Sequence, residues 1–238
     1  MSKFSILCTT RNCENYISST IRSVLAQTYD NWELIIADDC SEDKTVDIIS
    51  SFTDKRIILV KNNMRLYCGA NYNQILQMAT GEYCGVLDGD DLLVPHSIST
   101  VFRSYQKNPD IDFIWTKHRW CNGEMSRGKN GISSNPIKKT IFDSEKNFKH
   151  IYSHWRTFKT ILRDKGKLFK DMKCTVDKEL GYTLEELGFG GFLPVELYLY
   201  RYHKNNMSHH SNQKEVWAKV RKRHEGIKKY GVKTLDAN

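Results

Sequence analysis

The residues best suited to chemistry are carboxylates that follow short apolar runs. Asp88-Gly89-Asp90-Asp91 comes directly after Tyr83–Leu87, and Asp38-Asp39 comes directly after WELIIA, residues 32–37. Carboxylates at a strand end can hold Mg²⁺ or Mn²⁺, hard ions that prefer oxygen ligands and share them with a diphosphate. A solvated Asp/Gly turn is the plainer reading of D-x-D. Three acids in succession repel one another, however, which a plain turn does not require. An EF-hand does not fit, because the fifth loop position is Leu92 and the twelfth is Ser99. No G-x-x-x-x-G-K-[ST] occurs, and Gly188, Gly190 and Gly191 do not form G-x-G-x-x-G after a strand. A nucleotide diphosphate bound here would need a cation on the carboxylates to balance much of its charge.

The elements that must position these groups alternate. Strand-like runs are expected at 4–8, 32–37, 56–60, 83–87 and 111–115. Between them, helical spacing appears at about 15–25, 43–52, 70–79 and 95–106, with Gly81 closing the third helix and Pro95 opening the fourth. This order predicts an α/β fold with a mostly parallel sheet and helices on both faces. Ligands of such sheets bind beyond the carboxyl ends of the strands, where Thr9, Arg11, Asp39 and Asp88–Asp91 fall. After Trp115 the pattern breaks. Residues 122–150 read as a mobile loop, 153–163 and 176–187 as helices, 192–202 as a strand and 213–230 as a basic helix. We expect one compact domain with two halves, 1–118 and 119–238.

Charge divides the same way. Residues 1–110 hold 10 Lys and Arg against 14 Asp and Glu, whereas residues 111–238 hold 26 against 14. Over all 238 residues the net charge is +8, with 39% hydrophobic residues, which excludes a disordered chain. The seven cysteines include no C-x-x-C pair, so a zinc ribbon or a dithiol redox site is not expected. The sequence shows no signal-peptide pattern at its start and no long apolar run, which points to a reduced, cytoplasmic protein with at most peripheral membrane contact.

The blocks FSILCTTRN, SVLAQTYDNWELIIADDCSED, KNNMRLYCGANYNQIL and ATGEYCGVLDGDDLLVP, in this order and spacing, resemble the family 2 glycosyltransferases of GT-A fold across residues 3–118. The resemblance implies a Rossmann-like nucleotide-sugar half, a smaller acceptor-side region and an inverting, metal-dependent transfer from a UDP-sugar. By position it places Thr9, Arg11, Asp39, Tyr67, Asp88, Gly89 and Asp90 at the nucleotide-sugar, with Asp39 toward the base. Asp88 and Asp90 would hold Mn²⁺ or Mg²⁺, completed by His203 of Tyr200-Arg201-Tyr202-His203. Arg11 stands where relatives commonly carry an aromatic, and Tyr67 where some carry a basic residue.

In the second half, Asp177 of Thr175-Val176-Asp177-Lys178-Glu179 corresponds to the catalytic base; an N-cap is its alternative role. Glu179 is the fallback base. His154, Trp155 and Arg156 would line the donor sugar and acceptor, with Trp155 stacking on a sugar ring or, alternatively, packing at a helix head. The basic half suggests an anionic acceptor. A bacterial surface glycan or glycolipid is the first reading. DNA carrying a hydroxymethylated base, reached by Trp120, Tyr152 and Trp155, is the second. A module that binds a nucleotide-sugar or polyanion without turnover is the third.

Overall fold

The computed structural model of the chain describes residues 2–122, 127–130, 139–144, 152–170, 172–173, 176–204, 206 and 213–237. The first half follows the expected alternation: β1 (Phe4–Thr10), α1 (Ile17–Leu25), β2 (Trp32–Asp38), α2 (Thr45–Ser50), β3 (Ile57–Lys61), α3 (Tyr67–Met78) and β4 (Tyr83–Asp88). β5 (Leu92–Leu93), α4 (Ser97–Lys107) and β6 (Phe113–Cys121) follow. β1 pairs in parallel with both β2 and β4, and β2 with β3, so Thr9, Ala37 and Asp88 reach the same sheet edge in register.

Period-two alternation builds a core on each face. Along β1 and β2, Leu7, Ile35 and Ala37 pack beneath α3 with Tyr72, Ile75 and Leu76. Phe4, Ile6, Cys8, Leu34 and Ile36 pack on the other face with Ile17, Ile21, Val24, Ile98 and Val101. A sheet buried on both faces reads as near-continuous apolar runs, which is why these strands were legible.

The second half departs from its expected elements. Residues 153–163 are not a helix: Arg156–Lys159 form β8, and Thr160–Asp164 a 3₁₀ turn. β8 inserts antiparallel between β4 and β6. Trp155 and Phe158, at helical spacing, therefore lie in opposite cores, as an odd separation on an extended segment requires. β6 runs on to Cys121, well past the expected end at Trp115.

The expected loop at 122–150 contains β7 (Arg127–Asn130) and the short α5 (Ile141–Ser144); residues 123–126, 131–138 and 145–150 lie outside the described residues. α6 (Val176–Leu187) and β9 (Gly190–Arg201) match their expected positions. The last helix, α7 (Gln213–Arg223), stops seven residues early, and β10 (Val232–Thr234) joins β9 in parallel. Gly226 (φ 75°) and Gly231 (φ 96°) adopt the left-handed backbone that ends the helix and turns the chain back to the sheet. The strand order is β10-β9-β6-β8-β4-β1-β2-β3, with β5 on β9 and β7 on β6.

Candidate functional site

A cleft of about 550 Å³ opens at the carboxyl ends of β1, β2 and β4, closed on the far side by the end of β9 and the start of α6. Asn12 (φ 52°), Cys40 (φ 60°) and Tyr67 (φ 62°) adopt left-handed backbone where the chain leaves β1 and β2 and enters α3. Such backbone in non-glycine residues concentrates at functional sites.

At one end, the Asp39 carboxylate accepts hydrogen bonds from the backbone N–H groups of Leu66 (2.7 Å) and Tyr67 (3.0 Å), tying the β2 loop to the start of α3. Arg65 lies 3.8 Å from the same carboxylate. Cations flank the Tyr67 ring, with the Arg65 guanidinium 4.5 Å and the Lys173 ammonium 4.4 Å from its centroid. Thr9 and Arg11 line this region too, and Arg11 pairs with Glu42 at 3.1 Å. Arg65 and Lys173 escaped sequence reasoning: Arg65 lies within KNNMRLYCGANYNQIL but carries no expected role there, and Lys173 reaches the cleft from another part of the chain.

In the middle, Asp88 is held on several sides. Its Oδ1 accepts from the Tyr72 hydroxyl (2.7 Å), and its Oδ2 faces Arg156 Nη2 (3.1 Å) and His154 Nε2 (3.3 Å). Burial would raise its pKa, but the Arg156 guanidinium and the bond to His154 outweigh burial and hold the carboxyl well below the usual carboxylate range. Burial and Arg156 push His154 down, toward the neutral imidazole. Gly89 is required sterically: a Cβ there would meet Thr10 Cβ and Oγ1 at 2.7 Å.

Asp91 is wholly buried. It accepts from the Tyr198 hydroxyl (2.8 Å) and the Arg201 N–H (2.7 Å), and burial with Asp90 and Asp88 nearby pushes its carboxyl well above the usual range. Ligand atoms of Asp88, Asp91 and His154 lie within 4.8 Å of one another.

Asp90 points toward the β9 end, 2.9 Å from His203 Nε2, and the His203 ring stacks on Tyr16 at 4.5 Å. Asn206 braces this turn by accepting from the His203 N–H (2.5 Å) and donating to the Arg201 carbonyl (3.0 Å). Carboxylate oxygens suit Mn²⁺ or Mg²⁺ and a neutral imidazole nitrogen is acceptable to Mn²⁺, so of the two expected cations this donor set fits Mn²⁺ better. The expected trio is thus split: Asp90 and His203 are together, while Asp88 is grouped with Asp91 and His154.

Asp177 lines the same cleft from the first turn of α6. Among the described residues its carboxylate makes no hydrogen bond or ion pair. Two expected residues are elsewhere. Glu179 is fully buried on the far side of α6, paired with Arg223 and His224, because two residues along a helix turn through about 200°. Trp155 is fully buried and stacks on Phe4 at 5.5 Å, so it offers no face to a sugar. Tyr152 is equally buried, so neither ring can receive a flipped base.

Much of the basic tail is also spoken for. Arg221 donates to the Phe142 carbonyl (2.6 Å) and lies over the Phe142 ring, and Lys229 pairs with Glu186 at 2.9 Å.

The family model for glycosyl transferase family 2 matches residues 5–166, more than half the chain. The chain belongs to this family. An Escherichia coli relative, the UDP-Glc:α-D-GlcNAc-diphosphoundecaprenol β-1,3-glucosyltransferase WfaP, is 43% identical over 99 residues, covering 42% of this chain and 39% of its own length. The crystal structure of S. aureus TarS in complex with UDP-GlcNAc superposes with a TM-score of 0.74 at 19% identity, over 88% of this chain and 61% of that one. The mannosyltransferase PcManGT from Pyrobaculum calidifontis, in complex with GDP-Man and Mn²⁺, gives 0.65 at 15% identity, over 94% and 61%. The chain therefore spans about two-fifths of the WfaP relative, and at these identities the solved structures establish the GT-A fold alone. No helix among the described residues is long and apolar enough to cross a membrane.

Proposed function

We propose that the chain is an inverting, metal-dependent glycosyltransferase that moves a sugar from a UDP-sugar to a hydroxyl of a surface glycan or lipid-linked glycan. The observation that carries this reading is one cleft holding the Asp90–His203 pair, the anchored Asp88 and a separate carboxylate, Asp177, which makes no hydrogen bond or ion pair among the described residues. Inversion in one displacement needs a base on one side of the sugar and a stabilised leaving group on the other. Asp177 approaches from α6, while Asp88 and Asp90 approach from the end of β4.

Asp177 takes the proton of the acceptor hydroxyl at its carboxylate. Asp90 and His203, with Asp88 nearby, hold the cation, which when bound offsets the charge of the leaving diphosphate. Asp39, Thr9 and Arg11 receive the nucleoside end, and Arg65 and Lys173 add positive charge beside Tyr67. The relative WfaP is named for a glucose donor and a lipid diphosphate acceptor, which favours UDP-glucose and a lipid-linked acceptor as the first pair to try.

The test is a panel of UDP-sugars with Mn²⁺, with and without a short-chain N-acetylglucosaminyl diphosphate lipid. UDP release with one donor, accelerated by the acceptor and abolished by EDTA, supports the reading. Release unaffected by EDTA removes the metal dependence. UDP binding without release from any donor, with or without acceptor, leaves a binding module.

A further inference from the structure

From His154, which contacts Asp88, a row of rings runs outward along the face of β6 and β9. His154 stacks on Tyr198 at 4.6 Å and lies 5.3 Å from Tyr200. Tyr200 lies 6.1 Å from Trp120, which lies 6.2 Å from Tyr202 with ring planes only 13° apart.

Parallel pairing sets this row, placing Trp120 opposite Tyr200 and His118 opposite Tyr198. The Tyr202 N–H donates to the Cys121 carbonyl (2.7 Å) and keeps that ring beside Trp120. The Trp120 indole N–H donates to His118 Nε2 (2.9 Å), which fixes the plane of the indole. Burial pushes His118 down to about 2, so the imidazole is neutral and its Nε2 remains an acceptor. Tyr198 is buried, Tyr200 lines the cleft and Tyr202 is 50% exposed, so the row begins at the carboxylates and ends in solvent.

We propose that Trp120 and Tyr202 form the subsite for a pyranose ring of the acceptor, with Tyr200 leading from it to Asp177 and Asp90. This rests on the proposed function and names what holds the acceptor. The row leaves the cleft from the His203 side, whereas Asp39, Arg65 and Lys173 occupy the nucleoside side. A gluco-configured pyranose presents a face of axial C–H groups, which packs on aromatic rings without needing charge. The acceptor's sugar is thus gripped by stacking, and the surplus of Lys and Arg is not what holds it.

The probes are cellotriose and triacetylchitotriose, followed by saturation-transfer NMR and tryptophan fluorescence on the protein with and without UDP and Mn²⁺. The other four tryptophans are at most 7% exposed, so a fluorescence change on binding reports Trp120. We expect one of the trisaccharides to bind. Trp120→Ala should weaken it about tenfold and Tyr202→Ala a few-fold, with Trp120→Phe restoring part of the loss. UDP affinity should stay at the wild-type value, melting temperature should fall by only a few degrees because the buried His118 Nε2 loses the Trp120 donor, and saccharide affinity should not change between low and high salt.

Neither trisaccharide binding the wild type, wild-type affinity in Trp120→Ala, or a steep loss of affinity with salt overturns the subsite. Failure of UDP to bind the wild type instead sinks the proposed function, and is read in a separate titration.

Discussion

Two groupings of carboxylates and histidines occupy opposite sides of α6, and the same ingredients serve different ends. On the cleft side, Asp88 meets His154 and Asp90 meets His203, and Asp177 is left without a partner among the described residues. On the far side, His224 lies between Glu179 (3.2 Å) and Glu186 (2.7 Å), closed off by Arg223 and Lys229. Glu179 and Glu186 are two helical turns apart and share one face, while Asp177 faces the other way. In the far group opposite charges lie against one another, although Glu179 Oε1 and His224 Nε2 meet at 3.2 Å without hydrogen-bond geometry, and this pairing locks α7 onto α6. The cleft keeps acidic groups facing open space. Buried, paired ions are architecture; carboxylates held toward a cavity are available to a substrate.

The sharpest way to break this contrast is to remove one acid from each side of the helix. Asp177→Asn should lower transfer by about 10²–10⁴-fold, the usual worth of a general base, while UDP affinity and melting temperature stay unchanged. Glu179→Ala should do the reverse. Leaving His224 and Arg223 without their shared partner should cost on the order of 3 kcal/mol, roughly a 6–12 °C fall in melting temperature for a chain of this size. Its kcat at a temperature where it remains folded should stay within a few-fold of wild type. Steady-state assays beside thermal unfolding read both outcomes. Activity surviving in Asp177→Asn but lost in a folded Glu179→Ala would exchange the two roles.

Within the cleft, the split between Asp90–His203 and Asp88–His154–Asp91 makes a further distinction. Asp90→Asn should weaken Mn²⁺-dependent UDP binding by about 10–100-fold without unfolding the protein. Asp91→Asn should instead destabilise the fold, because Asp91, fully buried where it borders the cleft, anchors Tyr198 and Arg201. Calorimetric titration of UDP with and without Mn²⁺ separates the two. Equal loss of binding in both variants at unchanged stability would mean that Asp91 also belongs to the ligand set.

The first half of the fold was legible because its strands are buried on both faces and its helices carry one-sided apolar spacing. The second half was not, for reasons visible in single residues. Trp155 and Phe158 have helical spacing, yet Phe158 lies in β8 and Trp155 immediately precedes it, since insertion between β4 and β6 supplies hydrogen bonds that no local pattern announces. The tail read as one long helix because Ile227 continues the Val216 and Val220 stripe, but Gly226 intervenes and Ile227 ends up exposed.

In the site, strand-end carboxylates could be placed from sequence because the alternation fixes where strand ends lie. Glu179 could not: its role depends on α7, 44 residues away. The aromatic row was equally hidden, since it needs the β6–β9 register before Trp120 and Tyr202 become neighbours.

The smallest effect expected is the pH dependence of the α6–α7 lock. Burial alone would lower the His224 pKa, but Glu179 and Glu186 outweigh it and raise it above the ordinary value. A histidine raised on folding contributes stability that is complete below its unfolded value of about 6.5 and disappears as pH rises through the folded value. Glu179 and Glu186 are lowered despite burial, by His224 with Arg223 and by His224 with Lys229 respectively, so their share is complete above about 4.5 and disappears as pH falls through their folded values. Between those limits the lock is at full strength, and melting temperature should decline on the alkaline side. The Tyr182 ring also lies 5.4 Å from His224. His224→Gln should melt lower than wild type near pH 6 and lose the decline that sets in above about pH 6.5. An alkaline decline of wild-type size in His224→Gln would mean that another group titrates, and that the far side of α6 is held by Arg223 and Lys229 alone.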